Sequence, residues 1–434
     1  MRHWFKDRHF QSLLRNAGYL AASRGATAVC GLATLAFTGR GLGVVLFGLL
    51  VLIHSYAKAA SSLIRFQSWQ LIVRYGARGL ATGEFQGFRD ATGFAFALDA
   101  VSGVLGMILA IALLPFLADW FHIPHKYQIL AALYCLLLPT MAAATPVGVL
   151  RALDRFDLLS VQGTFTPTVR AILSGLAWGF ELPFTAYVLI WFVTDLGGDL
   201  LMWWLAAREM KRHGLLKGIR PNLSARGLDG GWKFAWVVNL TGSLAAAWGP
   251  VANLLVGGLL GPVSAGLYRI SQTLIDSAAK PSDMLAKVFY PEVVRLDLRT
   301  GHPWRLMLRS AALTGAIGLA CALVIAAGGR PLLTLIFGPE FAPAYPVLMV
   351  MIIALLLTMI AFPLGPMLYA LDRANAPLVA RAVGAGIYLA TLVPLTSRFD
   401  VVGAAIAFVI GNAAMIVLMM LALWREYRRL RGAR

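Results

Sequence analysis

The chain is built from apolar stretches, each about as long as a bilayer is thick, joined by connections that alternate between very short and basic. A hydrocarbon core of about 30 Å takes roughly 20 apolar residues per helix. On that template the sequence predicts twelve membrane helices, near 17–38, 41–64, 91–117, 127–150, 164–181, 184–206, 235–259, 263–285, 306–329, 345–370, 376–396 and 400–424. The second and eighth are the most polar, carrying Lys58, Arg269, Asp276 and Lys280. Hydrophobic residues make up 59% of the chain and charged residues 13%, with a mean hydropathy of +0.73. Ordinary globular chains are about one-quarter charged, so most of this surface must face lipid. The expected fold class is an all-α integral membrane protein. Disordered, collagenous, coiled-coil and disulfide-stapled classes are excluded.

The net charge of +18 would suit a nucleic-acid binder if its source were one surface, but the basic residues lie between the apolar runs. With the N-terminus placed in the cytoplasm, thirty of the 38 Lys and Arg fall on the inner side. Only Arg40, Lys126, Arg330 and Arg398 fall outside, and Arg24, Lys58, Arg170 and Arg269 lie within helices. This bias predicts a multi-pass membrane protein with both termini cytoplasmic. Its basic loops would face the anionic leaflet and not a nucleic acid. Cys30, Cys135 and Cys321 each sit inside an apolar run and read as small core residues. The first fifteen residues are basic, but the run that follows is too long for a signal peptide and lacks a cleavage site. The seven histidines form no spaced metal set, no Walker A sequence occurs, and the outer loops are short. No cofactor, metal or enzymatic activity is expected.

An internal repeat appears at an offset of 218 residues. Ala152-Leu153-Asp154-Arg155 recurs as Ala370-Leu371-Asp372-Arg373, Leu42-Gly43 and Gly48 recur as Leu260-Gly261 and Gly266, and Thr82-Gly83 recurs as Thr300-Gly301. Each copy of Ala-Leu-Asp-Arg reads as a helix end, a register mark and not a site. Two halves are expected, 1–217 and 218–434, each a six-helix bundle. An even number of helices gives both halves the same orientation, as in transporters whose bundles rock about a central cavity. The basic stretch 207–234 is the linker.

Charged groups inside a membrane are costly and mark cavities or partners. Arg24, Lys58, Arg269 and Asp276, with Asn239 and Asn253, are the candidate cavity-lining residues. The offset maps Lys58 onto Asp276, and this opposite pair is expected to meet as a latch between the bundles. Arg170 is expected to snorkel to the inner interface. Asp195 and Asp199, one turn apart, are expected to pair with a neighbouring helix, with a coupling cation as the alternative; Asp99 is a further charge in the third helix. Pro250, with Gly25 and Gly31 in the repeat-related first helix, is the expected hinge.

Several of these features together resemble the polysaccharide transporter family, the O-antigen and exopolysaccharide flippases of the multidrug/oligosaccharidyl-lipid/polysaccharide exporter superfamily. They are the two six-helix halves, Leu42-Gly43…Phe47-Gly48, Ala-Leu-Asp-Arg after the fourth helix, and Leu335-Ile336-Phe337-Gly338-Pro339-Glu340-Phe341 before the tenth. The resemblance implies a polyprenyl-diphosphate-linked oligosaccharide as substrate. It also implies a cationic cavity lined by helices one, two, seven and eight, where Arg24, Lys58 and Arg269 fall. Membrane lipid, the polysaccharide polymerase and its assembly machinery are the implied partners; the coupling ion, Na⁺ or H⁺, stays open. The alternatives are a multidrug exporter of the same superfamily, which would want acidic cavity residues, and a membrane polymerase or ligase, which would want a large outer loop.

Overall fold

A computed structural model describes residues 8–76, 80, 83–141, 143–225, 227–246, 248–294, 296, 300–373 and 375–432; side chains are described from residue 25 to 430, except at 241, 245, 281, 283, 284, 287, 288 and 291. Among them the regular structure is helical. Three very long helices are each broken by one residue of non-helical backbone: Arg8–Ile64 at Gly43, Pro250–Val294 at Gly261 and Asn375–Gly432 at Asp400. Counting across those breaks gives twelve passes. They are α1 (8–42), α2 (43–64), α3 (Gln86–Leu117), α4 (125–152, bent), α5 (Phe156–Gly179), α6 (Phe184–Arg212), α7 (231–260, with a turn at 248–249), α8 (261–294), α9 (His302–Ile336), α10 (344–370), α11 (375–399) and α12 (400–432). The helices overrun the apolar windows because a helix need not stop where hydrocarbon does, and its basic ends lie in the interface.

The repeat is visible in the backbone. Gly43 and Gly261 have φ of 67° and 86°, a region glycine enters without steric cost. Asp154 and Asp372 have φ of 56° and 57°. Each aspartate ends its helix in the same way. Asp154 N–H donates to Arg151 O and Arg155 N–H to Leu150 O; Asp372 N–H donates to Tyr369 O and Arg373 N–H to Leu368 O. This paired 5→2 and 6→1 closure is a Schellman cap with aspartate in the left-handed position. The following arginine then reaches the last helix of its half: Arg155 pairs with Glu209 and Asp157, and Arg373 with Glu426 at 2.9 Å. Ala-Leu-Asp-Arg is thus a helix stop and a tie to α6 or α12.

The chain packs as two compact units, one of residues 1–42 and 52–254, the other of 43–51 and 255–434. These bounds differ from the halves of the duplication at 217/218, because α7 packs with the first unit. Asn239 Nδ2 donates to the carbonyls of Leu63 (3.3 Å) and Arg65 (3.0 Å), and Ser243 Oγ donates to Leu63 O (3.2 Å). The end of α2 is thereby capped, and Trp236 stacks edge-on against Phe66. The linker also folds onto this unit: Tyr75 hydroxyl donates to Asp229 O, and Leu228 is buried with Phe94 and Leu98.

Asp99 of α3 holds the bend of α4. Its Oδ2 accepts from Ala144 N–H (2.7 Å), Thr145 N–H (2.8 Å) and Thr145 hydroxyl (2.7 Å), while Oδ1 accepts from Ser68 hydroxyl (2.6 Å). A buried carboxylate is therefore the cap of the helical segment Thr145–Ala152.

In the second unit the two sequence signatures carried by 42–48 and 335–341 meet. Glu340 Oε2 accepts Val44 N–H at 3.0 Å, and Phe341 packs edge-on against Phe47 at 5.5 Å. Beside them the repeat-related Gly48 and Gly266 face one another; a Cβ on Gly48 would overlap the Pro262 carbonyl, and one on Gly266 would lie 3.2 Å from Gly48 Cα. Two helices approach this closely only over small residues.

Two outcomes follow. Asp99→Ala strands two buried N–H groups at about 1–3 kcal/mol each and should lower the thermal unfolding midpoint in detergent by well over what Asp229→Ala does at the surface. Gly48→Leu should abolish the monodisperse size-exclusion peak, whereas Gly83→Leu, at an open turn, should not.

Candidate functional site: an ion-pair cluster in the first unit

Four helices of the first unit converge on one carboxylate. His54 and Lys58 are one turn apart on α2, Tyr134 lies in α4, Arg170 in α5, and Trp191, Thr194 and Asp195 share a face of α6. Asp195, 9% exposed, binds the Arg170 guanidinium at 2.7 Å and accepts the Tyr134 hydroxyl at 2.6 Å. Lys58 Nζ lies 3.7 Å away and His54 Nε2 3.5 Å away. Arg170 is further fixed by bonds to Thr194 Oγ1 (2.8 Å) and Trp191 O (3.3 Å), and its guanidinium sits 5.0 Å from the Trp191 ring centroid. His54 packs edge-on against both Trp191 and Tyr134.

The members differ in freedom. Arg170 is 12% exposed with its donors engaged, so it is part of the scaffold; Lys58 is 36% exposed at the longest pairing distance in the group. A half-exposed ammonium beside a carboxylate that is already neutralised by arginine is the charge that can turn to another anion. Asp199, one turn beyond Asp195, takes no ion pair among the described residues.

The structure places the remaining candidates separately. Arg24 is within helical backbone of α1, but its side chain lies outside the described residues. Asn239 caps α2, as above. Asn253 is fully buried, its Nδ2 donating to Gly249 O at 3.2 Å. Arg269 is half-buried on α8 of the second unit, its carbonyl accepting the Thr273 hydroxyl, and Asp276 is exposed on the same helix. Lys58 has a partner in its own unit, Asp195. Arg170 does not snorkel: it is held at mid-helix because Asp195 and Thr194 satisfy it there. Pro250 opens a new helical segment after the turn at 248–249, while α1 runs without a break through Gly25 and Gly31. Sequence reasoning missed His54 and Tyr134. The signal was present in the i, i+4 spacing of His54 and Lys58, which puts both on one face of a helix otherwise apolar.

A family model described as polysaccharide biosynthesis protein matches residues 13–291. The inner membrane protein YghQ of Escherichia coli (strain K12) is 43% identical over 347 residues, covering 80% of this chain and 98% of that protein. The chain belongs to the polysaccharide biosynthesis protein family. Among solved structures, this family member is similar to an inward-facing multidrug resistance MATE family transporter of the MOP superfamily (TM-score 0.67, 16% identity, 95% of each chain). It is also similar to the lipid II flippase MurJ in an inward closed conformation (TM-score 0.69, 11% identity, 95% of this chain and 89% of that one). The chain thus shares the fold of these transporters, with twelve membrane helices in two bundles.

The geometry sets an order of mutational cost. Asp195→Ala leaves Arg170 as a buried unpaired charge and should cost about 3–5 kcal/mol. Lys58→Ala, removing a half-exposed partner, should cost no more than about 1 kcal/mol. The double variant Arg170→Ala/Asp195→Ala should be more stable than Asp195→Ala alone. Thermal unfolding of the four proteins in one detergent tests the order.

Proposed function

We propose that this protein is an inner-membrane flippase that moves a polyprenyl-diphosphate-linked oligosaccharide from the inner to the outer leaflet for O-antigen or exopolysaccharide synthesis. The observation that carries the reading is the joint finding of a polysaccharide biosynthesis family and a transporter fold in one chain. The high identity to an inner membrane protein supports the location, and the positive-inside bias supports cytoplasmic termini. The likeness to MurJ supports a lipid-linked cargo.

The chemistry is coherent with this reading. A diphosphate and its sugars cannot cross hydrocarbon without a substitute for water. Lys58 supplies a partly exposed cation, and Arg24 and Arg269 are the further cations proposed to meet phosphate, arginine with the geometry for two oxygens at once. Asn239 and Asn253 keep structural bonds, so the proposed cargo contacts rest on the three cations. An inside-negative potential favours outward movement of an anion by about 2.3 kcal/mol per charge per 100 mV, a driving force that needs no ATP. The turn before Pro250 is the proposed hinge of an alternating-access cycle. An exporter of organic cations would want a carboxylate available to cargo, whereas Asp195 is engaged by Arg170 and Lys58.

A strain lacking the gene and its paralogues should accumulate undecaprenyl-linked glycan on the inner leaflet and lose the surface polysaccharide. Complementation with Lys58→Ala or Arg269→Ala should restore at most about a tenth of wild-type export, each lost phosphate contact being worth about 1.5–3 kcal/mol. Normal surface polysaccharide in the deletion strain would overturn the reading.

A further inference from the structure

The second unit carries an almost wholly apolar groove of about 450 Å³ between α9, α10 and α12. Met307, Ala311 and Met420 are among the residues that form its walls, and Trp304, Trp424 and Tyr427 gather at the end where α9 begins and α12 finishes. Trp304 and Tyr427 touch, ring to ring, at 4.7 Å.

The duplication shows what such a surface does elsewhere in the same chain. Subtracting 218 carries Met307, Ala311, Met420 and Trp424 onto Arg89, Gly93, Met202 and Ala206 of the first unit. There the surface is covered by the linker. Leu215 is buried with Met202 and Ala206, Gly218 lies against the Arg89 side chain, and Asn222 N–H donates to Gly93 O at 3.4 Å. Gly93 carries no side chain because the Arg220 carbonyl occupies that space. The first copy of the groove is filled by polypeptide; among the described residues the second copy is open.

The medium that the open groove meets is the bilayer. Its aromatic end has the composition of a headgroup-level belt. The charge there is positive: exposed Arg428 stacks its guanidinium 3.7 Å from the Trp424 ring centroid, exposed Arg305 follows Trp304, and Glu426 on the same helix is taken by Arg373. A hydrocarbon slot ending at an arginine held over an indole presents donors to a phosphate.

We propose that this groove binds an anionic phospholipid, with one acyl chain along Met307, Ala311 and Met420 and the phosphate at Arg428. The lipid takes the place that Leu215 and its neighbours take in the first unit, so the site is a structural lipid site independent of the cargo.

The test uses the full-length protein in detergent, stripped of lipid and then given phosphatidylglycerol or phosphatidylcholine, with native mass spectrometry and thermal unfolding as readouts. Phosphatidylglycerol should be retained as a bound copy and raise the unfolding midpoint, with phosphatidylcholine at least about tenfold weaker. Ala311→Trp, which plugs the slot, should remove that copy and the shift. Arg428→Glu, at an exposed position that tolerates change, should erase the preference for the anionic lipid. Equal retention of both lipids, or retention of phosphatidylglycerol unchanged in Arg428→Glu, would overturn the proposal. So would complete displacement of phosphatidylglycerol by an equal concentration of undecaprenyl phosphate, which would assign the groove to a prenyl chain.

Discussion

A carboxylate in hydrocarbon must find a counter-charge, and Asp195 organises the first unit around that requirement. Its partners come from α2, α4 and α5, so one ionised group joins four of the unit's helices. Apolar packing alone gives lipid-facing helices little orientational preference, since hydrocarbon is available on every side. A single carboxylate with two close donors, Tyr134 and Arg170, and Lys58 and His54 beside it does give one. It fixes the rotation of each helix about its own axis, because only one face of α2 bears both His54 and Lys58 and only one face of α6 bears Trp191, Thr194 and Asp195.

The second unit shows a close approach of two helices as well as ion pairing. Gly48 against Gly266, with Phe47 on Phe341 and Glu340 on Val44 N–H, brings two repeat-related helix starts together where no side chain would fit. Two loose sequence signatures, about 290 residues apart, are thereby one structural feature. Their residue types follow from that contact: a glycine with positive φ to open the helix, a carboxylate to cap it, and a phenylalanine on each side.

Much of this was legible in the sequence. Apolar run length set the twelve helices, and the ungapped offset of 218 set the repeat, which the φ values of Gly43, Gly261, Asp154 and Asp372 reproduce. The partners of the buried charges were not legible. The offset relates Lys58 to Asp276, but symmetry of sequence carries no distance, and it does not reveal the pairing of Lys58 with Asp195 on α6. Arg170 was expected to snorkel to the inner interface; the bonds that hold it come from another helix. The packing of α7 with the first unit was also hidden, since it depends on Asn239 finding the carbonyl end of α2. Composition reveals that a polar group lies within a membrane helix, but the fold decides whom it meets.

The two buried aspartates also differ in when their partners are synthesised. Lys58, Tyr134 and Arg170 all precede Asp195 in the chain, so α6 enters a membrane in which its counter-charges already wait. Asp99 has only Ser68 behind it; its other donors, at Ala144 and Thr145, emerge 45 and 46 residues later. An aspartate at the centre of an inserting helix costs about 2.5–3.5 kcal/mol. Until the fourth helix has been made, α3 holds an unfinished cap, and its carboxylate is fully satisfied only once both helices are present.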